Sequence, residues 1–161
     1  MELSPENRYH DLLLSQQTLL FASASLDGIP EISVTPFVLN EGCFYILVSD
    51  LAGHTANLRH NPKVSVIFTR SEAETKNLFA RERAIFNCLV REVAGSDPVH
   101  DKQLQALTTQ FGETVTLLRT LPDFHLFELQ PRTARYVLGF GQAYQINLDD
   151  KRFNLITRST S

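Results

Sequence analysis

Runs of alternating apolar and polar residues, separated by turn residues, recur along most of the chain. Alternation with a period of two is typical of strands that bury one face. We therefore predict strands in the segments 18–25, 32–39, 43–48, 63–69, 78–93, 124–129 and 134–146, with a further short strand at 152–156. The last long run is expected to continue the strand before it, with a kink at Gly139 and Gly141.

Three segments have features typical of helices. The pair Ser4-Pro5 is typical of a helix start and predicts a helix over 5–17. A short helix is predicted within 49–62, between two apolar strands. A two-helix insertion is predicted over 97–119, packed over the strands as a lid.

The helix within 49–62 begins where a strand ends, and Ser49 or Asp50 is expected to cap its first turn. A helix N-terminus presents unpaired N–H groups and partial positive charge, which favour an anion such as phosphate. His54 and Thr55 lie in this first turn. The alternative is a connecting helix that only caps itself.

The composition fits one soluble domain over 1–161 with a polar tail at 147–161, since 43% of the 161 residues are hydrophobic and 20% are charged. The predicted fold class is mainly β with helical insertions (α+β), a small closed or split barrel. A net charge of −3 without a basic block argues against nucleic-acid and membrane-surface partners. The sequence shows neither a long apolar run nor a leader pattern, so we expect a cytoplasmic protein.

The reactive residue types do not form a recognisable catalytic motif. Cys43 and Cys88 fall in apolar strands and are interpreted as reduced core thiols. The five histidines lack metal-ligand spacing, so no metal site is predicted, and the catalytic residues remain unassigned.

Two polar pairs stand on the predicted strands. Ser33 and Thr35 place hydroxyls on one face of their strand. Arg81 and Arg83 would project from one side of the 78–93 strand, where paired guanidiniums favour a doubly charged or bidentate partner. The alternative is that one arginine pairs with Glu82 of a neighbouring subunit or with a surface carboxylate.

A combination of short motifs, from about residue 17 to residue 146, closely resembles the HutZ/HugZ haem-utilisation proteins. This family is a branch of the pyridoxamine 5′-phosphate oxidase-like, FMN-binding split-barrel superfamily. The motifs that carry the resemblance are Ser33-Val34-Thr35-Pro36-Phe37, His54-Thr55-Ala56-Asn57-Leu58, Asn61-Pro62, Phe79-Ala80-Arg81-Glu82-Arg83, Leu121-Pro122-Asp123-Phe124 and Gly139-Phe140-Gly141-Gln142-Ala143-Tyr144.

The resemblance implies a homodimeric FMN-binding split barrel whose cofactor cleft lies between two subunits. It implies that the phosphate is held by the stretch 49–57 and the arginine strand, and that the flavin ring lies along two further strands. The implied cofactor-binding residues are Ser33, Thr35, Val48, Ser49, His54, Thr55, Asn57, Arg81, Arg83 and Gln142.

Departures from the family patterns limit these implications. The phosphate clamp of true pyridoxamine 5′-phosphate oxidases is replaced by Ala52-Gly53-His54 and the chain has no tryptophan, so that vitamin oxidase activity is not expected. Asp123 stands where the haem branch uses a carboxylate to bond the axial histidine, but residues 147–161 contain no histidine. His125 lies nearby, so Asp123 and His125 are the candidates for residues that support a haem ligand, which the sequence itself does not identify. The alternative for His125 is a core or edge histidine.

Three functions follow from the resemblance. The main expectation is an FMN-binding flavoprotein that acts as an oxidoreductase on an unknown small molecule. The alternative is a haem-binding, haem-degrading utilisation protein, and the third is a non-enzymatic carrier that uses the same cleft.

Overall fold

The computed structural model of the chain describes residues 3–158. Its helices are α1 (Pro5–Leu14), α2 (Gly53–His60), α3 (Pro98–Phe111) and α4 (Glu113–Leu118). Its strands are β1 (Thr18–Ala24), β2 (Pro30–Pro36), β3 (Val38–Asn40), β4 (Cys43–Ser49), β5 (Lys63–Thr69), β6 (Arg83–Glu92), β7 (Phe124–Gly139), β8 (Gln142–Ile146) and β9 (Phe153–Leu155). Short 3₁₀ helices lie at Glu72–Glu74 and Leu78–Ala80.

All nine described strands belong to one antiparallel sheet in the order β2-β1-β5-β6-β7-β4-β3, and β8 and β9 extend it from β7. Strands β2 and β3 lie at opposite ends of this order, yet only Phe37 separates them in the chain. The two ends of the sheet therefore meet, and the sheet curls into a barrel. The prediction of a mainly β, split-barrel fold with helical insertions is confirmed.

The barrel interior is filled by aromatic side chains. The rings of Phe37, Phe44, Phe68 and Phe86 contact one another with centroids 5.1–6.0 Å apart. Each buried ring of this size contributes about 1.5–3 kcal/mol through removal of apolar surface from water. Helix α1 packs against this core through its buried residues, Tyr9 and Leu12.

A second apolar cluster joins the helical insertion to the sheet. Leu104 and Leu107 of α3 and Val115 of α4 pack with Tyr45 of β4 and Leu126 of β7. Both helices lie within the segment 97–119, and they cover the face of these strands that points away from the aromatic core.

Two element boundaries differ from the predictions. Helix α1 ends at Leu14, three residues before the predicted end, because the hydroxyl of Ser15 donates to the carbonyl of Leu12 and Thr18 already begins β1. The strand predicted over 32–39 is broken at Phe37, since Pro36 has no N–H to continue the ladder.

The single strand predicted over 78–93 is wrong at its start. Asn77 accepts a hydrogen bond from the N–H of Phe79 and caps a 3₁₀ helix, so β6 begins only at Arg83. From that residue onward the predicted alternation is correct, because Ala84, Phe86, Cys88 and Val90 are buried.

The predicted kink at the two glycines is a chain reversal. Strands β7 and β8 pair as an antiparallel hairpin, and Gly141 adopts a φ of +66° in the turn. A left-handed backbone of this kind favours glycine. The tail forms β9, and residues 1–2 and 159–161, including the end of the predicted tail, lie outside the described residues. Between residues 3 and 158, none of the helices combines the length and the apolarity that crossing a membrane requires.

Candidate functional site

The first turn of α2 lacks the predicted side-chain cap. The residue that precedes the helix is Ala52, which makes no side-chain hydrogen bond to it. The hydroxyl of Ser49 instead accepts from the N–H of Leu51, and the carboxylate of Asp50 pairs with Arg59. The expectation that Ser49 or Asp50 caps α2 is therefore wrong.

A carboxylate from β2 lies against this first turn. A Cβ atom built on Gly53 would stand 2.9 Å from Oε2 of Glu31, so the acidic group reaches the helix start. The amide of Asn57 is 3.5 Å from the same oxygen and donates to the hydroxyl of Ser23 at 3.1 Å. Negative charge is favourable at a helix N-terminus, and Glu31 supplies it from within the chain.

His54 joins α2 to β2. Its Nδ1 lies 2.9 Å from the hydroxyl of Ser33, and its ring packs edge-on against Phe21 at 5.1 Å. Its Nε2 is buried and has no hydrogen-bond partner within residues 3–158. Burial lowers the pKa of the imidazole, only partly opposed by the charge of Glu31, so the neutral ring is favoured.

Three of the predicted cofactor-binding residues have internal packing roles. Thr55 is 1% exposed and its hydroxyl donates to the carbonyl of Ser49. Thr35 is buried with its hydroxyl on the carbonyl of Pro36, and Val48 belongs to the aromatic core. Of these three contacts, the bond from Thr55 joins α2 to the end of β4.

Arg81 and Arg83 do not project together from one strand. Arg81 precedes β6 and donates to the carbonyl of Arg70 and the hydroxyl of Thr69, with Glu72 at 3.7 Å. Arg83 donates to the carbonyl of Arg81. Within one chain, the hydrogen bonds of Arg81 and Arg83 therefore do not connect these side chains to α2 or β2.

Glu82, which lies between the two arginines, is the buried centre of an ionic cluster in its own chain. Its carboxylate accepts from Arg8 at 3.0 Å, from Arg70 at 2.9 Å and from the hydroxyl of Tyr136 at 2.5 Å. Burial alone would raise the pKa of Glu82, but the bonds from Arg70, Tyr136 and Arg8 lower it overall. A pairing of Glu82 with a neighbouring subunit's arginine is therefore not needed.

Gln142 lies apart from α2. It is exposed at the start of β8 and pairs with Gly139 across the β7–β8 hairpin. The structure thus brings Ser33, Ser49, His54, Thr55 and Asn57 around α2, and it places Gln142 and the two arginines elsewhere. The cofactor-binding role of each residue stays a prediction.

His125 has two carboxylate partners, neither of which is Asp123. Its Nε2 lies 2.9 Å from Asp50 and its Nδ1 lies 3.3 Å from Glu92. Arg59 donates to both carboxylates, at 2.7 Å to Asp50 and at 3.0 and 3.2 Å to Glu92. The bonds from His125 and then Arg59 lower the pKa of Asp50.

Asp123 forms a separate link between β4 and β7. Its carboxylate accepts from the hydroxyl of Ser49 at 3.0 Å, and its carbonyl accepts from the N–H of Asp50 at 2.8 Å. The two residues that the sequence selected, Asp123 and His125, therefore lie at one place but are not bonded to each other. Sequence reasoning missed Asp50, Arg59 and Glu92 as partners, since they come from three other elements.

Comparison with known proteins identifies the family. The sequence profile described as pyridoxamine 5′-phosphate oxidase matches residues 6–138. Heme oxygenase HutZ of Vibrio cholerae is 38% identical over 135 residues, which cover 84% of this chain and 77% of that protein.

Solved structures agree with this assignment. The crystal structure of Vibrio cholerae HutZ, described as a heme storage protein, has a TM-score of 0.77 at 33% identity and covers 81% of this chain and 92% of that one. Campylobacter jejuni ChuZ has a TM-score of 0.83 at 25% identity, covering 97% of this chain and 64% of that one.

These relatives overturn the main functional expectation. The relative with 38% identity is named a heme oxygenase, and the HutZ structure is described as a heme storage protein. The prediction of an FMN-dependent oxidoreductase is therefore wrong. By sequence and by fold, this chain belongs to the pyridoxamine 5′-phosphate oxidase family, in the group that contains HutZ.

Proposed function

We propose that this protein binds haem and degrades it with oxygen and electrons from an external reductant. The observation that carries the proposal is the 38% identity, over 84% of the chain, to a protein named a heme oxygenase. When bound, haem would supply an iron that activates oxygen and a macrocycle that is then oxidised.

The chemistry of the residues around His125 fits a haem. A neutral imidazole is a common axial ligand of haem iron, and a carboxylate bonded to the other ring nitrogen fixes its orientation and raises its basicity. His125 has such partners in Asp50 and Glu92, and 24% of its side chain is exposed. The neighbouring Leu51 is 91% exposed and offers apolar surface beside the cluster.

For His125 to hold a haem, one of its ring nitrogens would have to leave its carboxylate. The Nδ1 contact to Glu92 is the longer of the two, and Glu92 keeps two hydrogen bonds from Arg59 if the imidazole leaves it. The exchange leaves no carboxylate unpaired, so its cost in free energy is small. Asp50 then remains as the group that holds the ring.

The second part of the proposal is a homodimer that completes the cleft. Val34, Leu20, Ile67 and Ile85 stand opposite one another on four adjacent strands, β2, β1, β5 and β6. They lie on the outer face of the barrel, where Val34 is 62% exposed and Leu20 is 39% exposed. A continuous apolar row on an exposed sheet is typical of a subunit interface.

A haem carrier without turnover is the second candidate function. It is supported by the description of the HutZ structure as a heme storage protein. The cytoplasmic location expected from the sequence remains a prediction.

Turnover with a reductant distinguishes the two functions. The purified protein is loaded with hemin and treated with ascorbate in air, and the absorbance of haem and the release of carbon monoxide are followed. Loss of the haem spectrum with formation of an open-chain tetrapyrrole supports degradation. A haem spectrum that persists, in a protein that binds hemin stoichiometrically, contradicts degradation and favours the carrier.

A further inference from the structure

A cavity of about 320 Å³ lies between α1, the β3–β4 turn and the β8–β9 segment. Its lining is rich in aromatic rings, from Tyr9, Phe44, Phe86 and Phe153. The first three of these residues are less than 10% exposed, so the walls are fixed by the barrel core. The volume falls at the lower end of the range typical of small-molecule pockets.

This cavity is distinct from the cluster around His125. Pro131, which lines it, follows His125 by six residues along β7, or about 20 Å along a strand. The pairing of β7 with β6 shifts register here, because Cys88 pairs with Pro131 and Asn87 pairs with Thr133. Arg132 is therefore an extra residue, and bulges of this kind recur beside binding sites.

Tyr9 brings an unpaired polar group to the cavity. The residue is 8% exposed, and its hydroxyl makes no hydrogen bond to any residue that the structure describes. Burial raises the pKa of Tyr9 to about 12, so the hydroxyl keeps its proton at neutral pH and is able to donate. The hydroxyl is not one of the fully enclosed side-chain atoms that lack a partner, so it is reachable from the cavity and can donate to a ligand there.

Two opposite charges flank the apolar walls. Glu6 of α1 and Lys151 of the β8–β9 turn both line the cavity, and both are exposed. Within residues 3–158, neither of them belongs to an ion pair. One free carboxylate and one free ammonium beside an aromatic cavity complement a ligand that carries both charges next to an apolar body.

We propose that this cavity binds a small zwitterion with a bulky apolar body, the chemical class of the aromatic and large aliphatic amino acids. The ammonium group of the ligand pairs with Glu6 and its carboxylate pairs with Lys151. The apolar body of the ligand lies against the aromatic rings. The Tyr9 hydroxyl donates to an oxygen of the ligand's carboxylate.

The first test compares three probes that share one aromatic body. L-phenylalanine carries both charges, 3-phenylpropionate lacks the ammonium group, and L-phenylalanine amide lacks the carboxylate. Saturation-transfer NMR and calorimetry should give L-phenylalanine a dissociation constant on the order of 1 mM, as a ligand of this size allows. Each single-charge analogue should bind about fivefold more weakly or worse.

Charge variants then assign each contact. Glu6→Gln should weaken L-phenylalanine and the amide but not 3-phenylpropionate, and Lys151→Gln should weaken L-phenylalanine and 3-phenylpropionate but not the amide. Glu113→Gln is the matched control, because Glu113 is also an exposed first-turn acid and lies on α4. Equal binding of all three probes, or no saturation transfer at about 10 mM L-phenylalanine, would overturn the proposal.

Tyr9→Phe tests the hydroxyl donor with the ring kept in place. Loss of one hydrogen bond should weaken L-phenylalanine about fivefold. A circular dichroism melt checks that the variant is folded. Unchanged L-phenylalanine affinity in the folded variant would contradict the role of the hydroxyl.

Discussion

The Nε2 of His125 lies 2.9 Å from Oδ2 of Asp50, and this contact joins the start of β7 to the loop that precedes α2. Arg59, on the last turn of α2, donates to the same carboxylate from the other side. The position of the imidazole is therefore set by α2 and its loop, and Asp123, two residues before it, acts instead on Ser49. Asp50 and Glu92 are therefore the two carboxylates through which substitutions in α2 would reach His125.

The ionic cluster around Glu82 should contribute strongly to the free energy of unfolding. Glu82→Gln leaves Arg70 and Arg8 without their shared carboxylate partner, and the Glu82 side chain is only 5% exposed. We expect a loss of about 3 kcal/mol in the free energy of unfolding, as for other buried pairs that lose one member. Urea denaturation at neutral pH measures it.

The control for Glu82→Gln is an exposed acidic residue in the same segment, which connects β5 to β6. Glu72 is 75% exposed and lies 3.7 Å from Arg81, so Glu72→Gln should cost less than about 0.5 kcal/mol. Equal losses in the two variants would contradict the central role of Glu82.

The burial of His54 predicts a pH dependence. The pKa of the folded imidazole lies below its usual value of 6.5, because burial disfavours the charged form. At a pH just below 6.5 the His54 side chain therefore binds a proton in the unfolded chain but not in the folded chain. The free energy of unfolding falls as the pH drops from 6.5 toward the folded pKa.

This dependence is measured by urea denaturation across the pH range and by NMR titration of the ring protons. His54→Gln should remove the part of the slope that His54 causes, whereas His60→Gln, exposed at the other end of α2, is the control. A titration midpoint for His54 above 6.5 would show that burial does not control this histidine.

Val34→Lys should separate the proposed homodimer. The substitution places a charge at the β2 position of the outer apolar row. Because the Val34 side chain is 62% exposed in one chain, the fold itself is expected to remain intact. Burying an unpaired ammonium group should weaken the dimer by at least about 100-fold. Sedimentation equilibrium measures the change, with Leu117→Lys on α4 as an exposed control away from the row. A wild-type chain that sediments as a monomer would refute the interface.

Much of the fold was predictable from the sequence because apolar and polar residues alternate along a strand wherever one of its faces is buried. Strand β5 has its predicted bounds for this reason, since Val64, Val66 and Phe68 alternate with less buried residues. The errors fall where a local hydrogen bond overrides the pattern. Asn77 caps a 3₁₀ helix inside an apparent strand, and a two-residue turn at Phe140-Gly141 reverses what reads as a kink.

The candidate site was less predictable because its partners are far apart in sequence. Asp50, Glu92 and His125 meet only after β4, β6 and β7 have paired, and no spacing in the sequence encodes that meeting. The carboxylate of Glu31 at the start of α2 was missed for the same reason. Short motifs did locate Asp123 and His125 together, although they did not indicate which residue bonds to which.

A hemin titration followed by absorbance tests the proposed haem binding most directly. The wild-type chain should give a Soret band at micromolar hemin, and His125→Ala should weaken binding at least tenfold, or about 1.4 kcal/mol. His100→Ala is the matched control, because its side chain is also 24% exposed and bonded to a carboxylate, and it should bind as the wild type does. The absence of a Soret band in the wild type, or equal affinity in His125→Ala, would contradict the account.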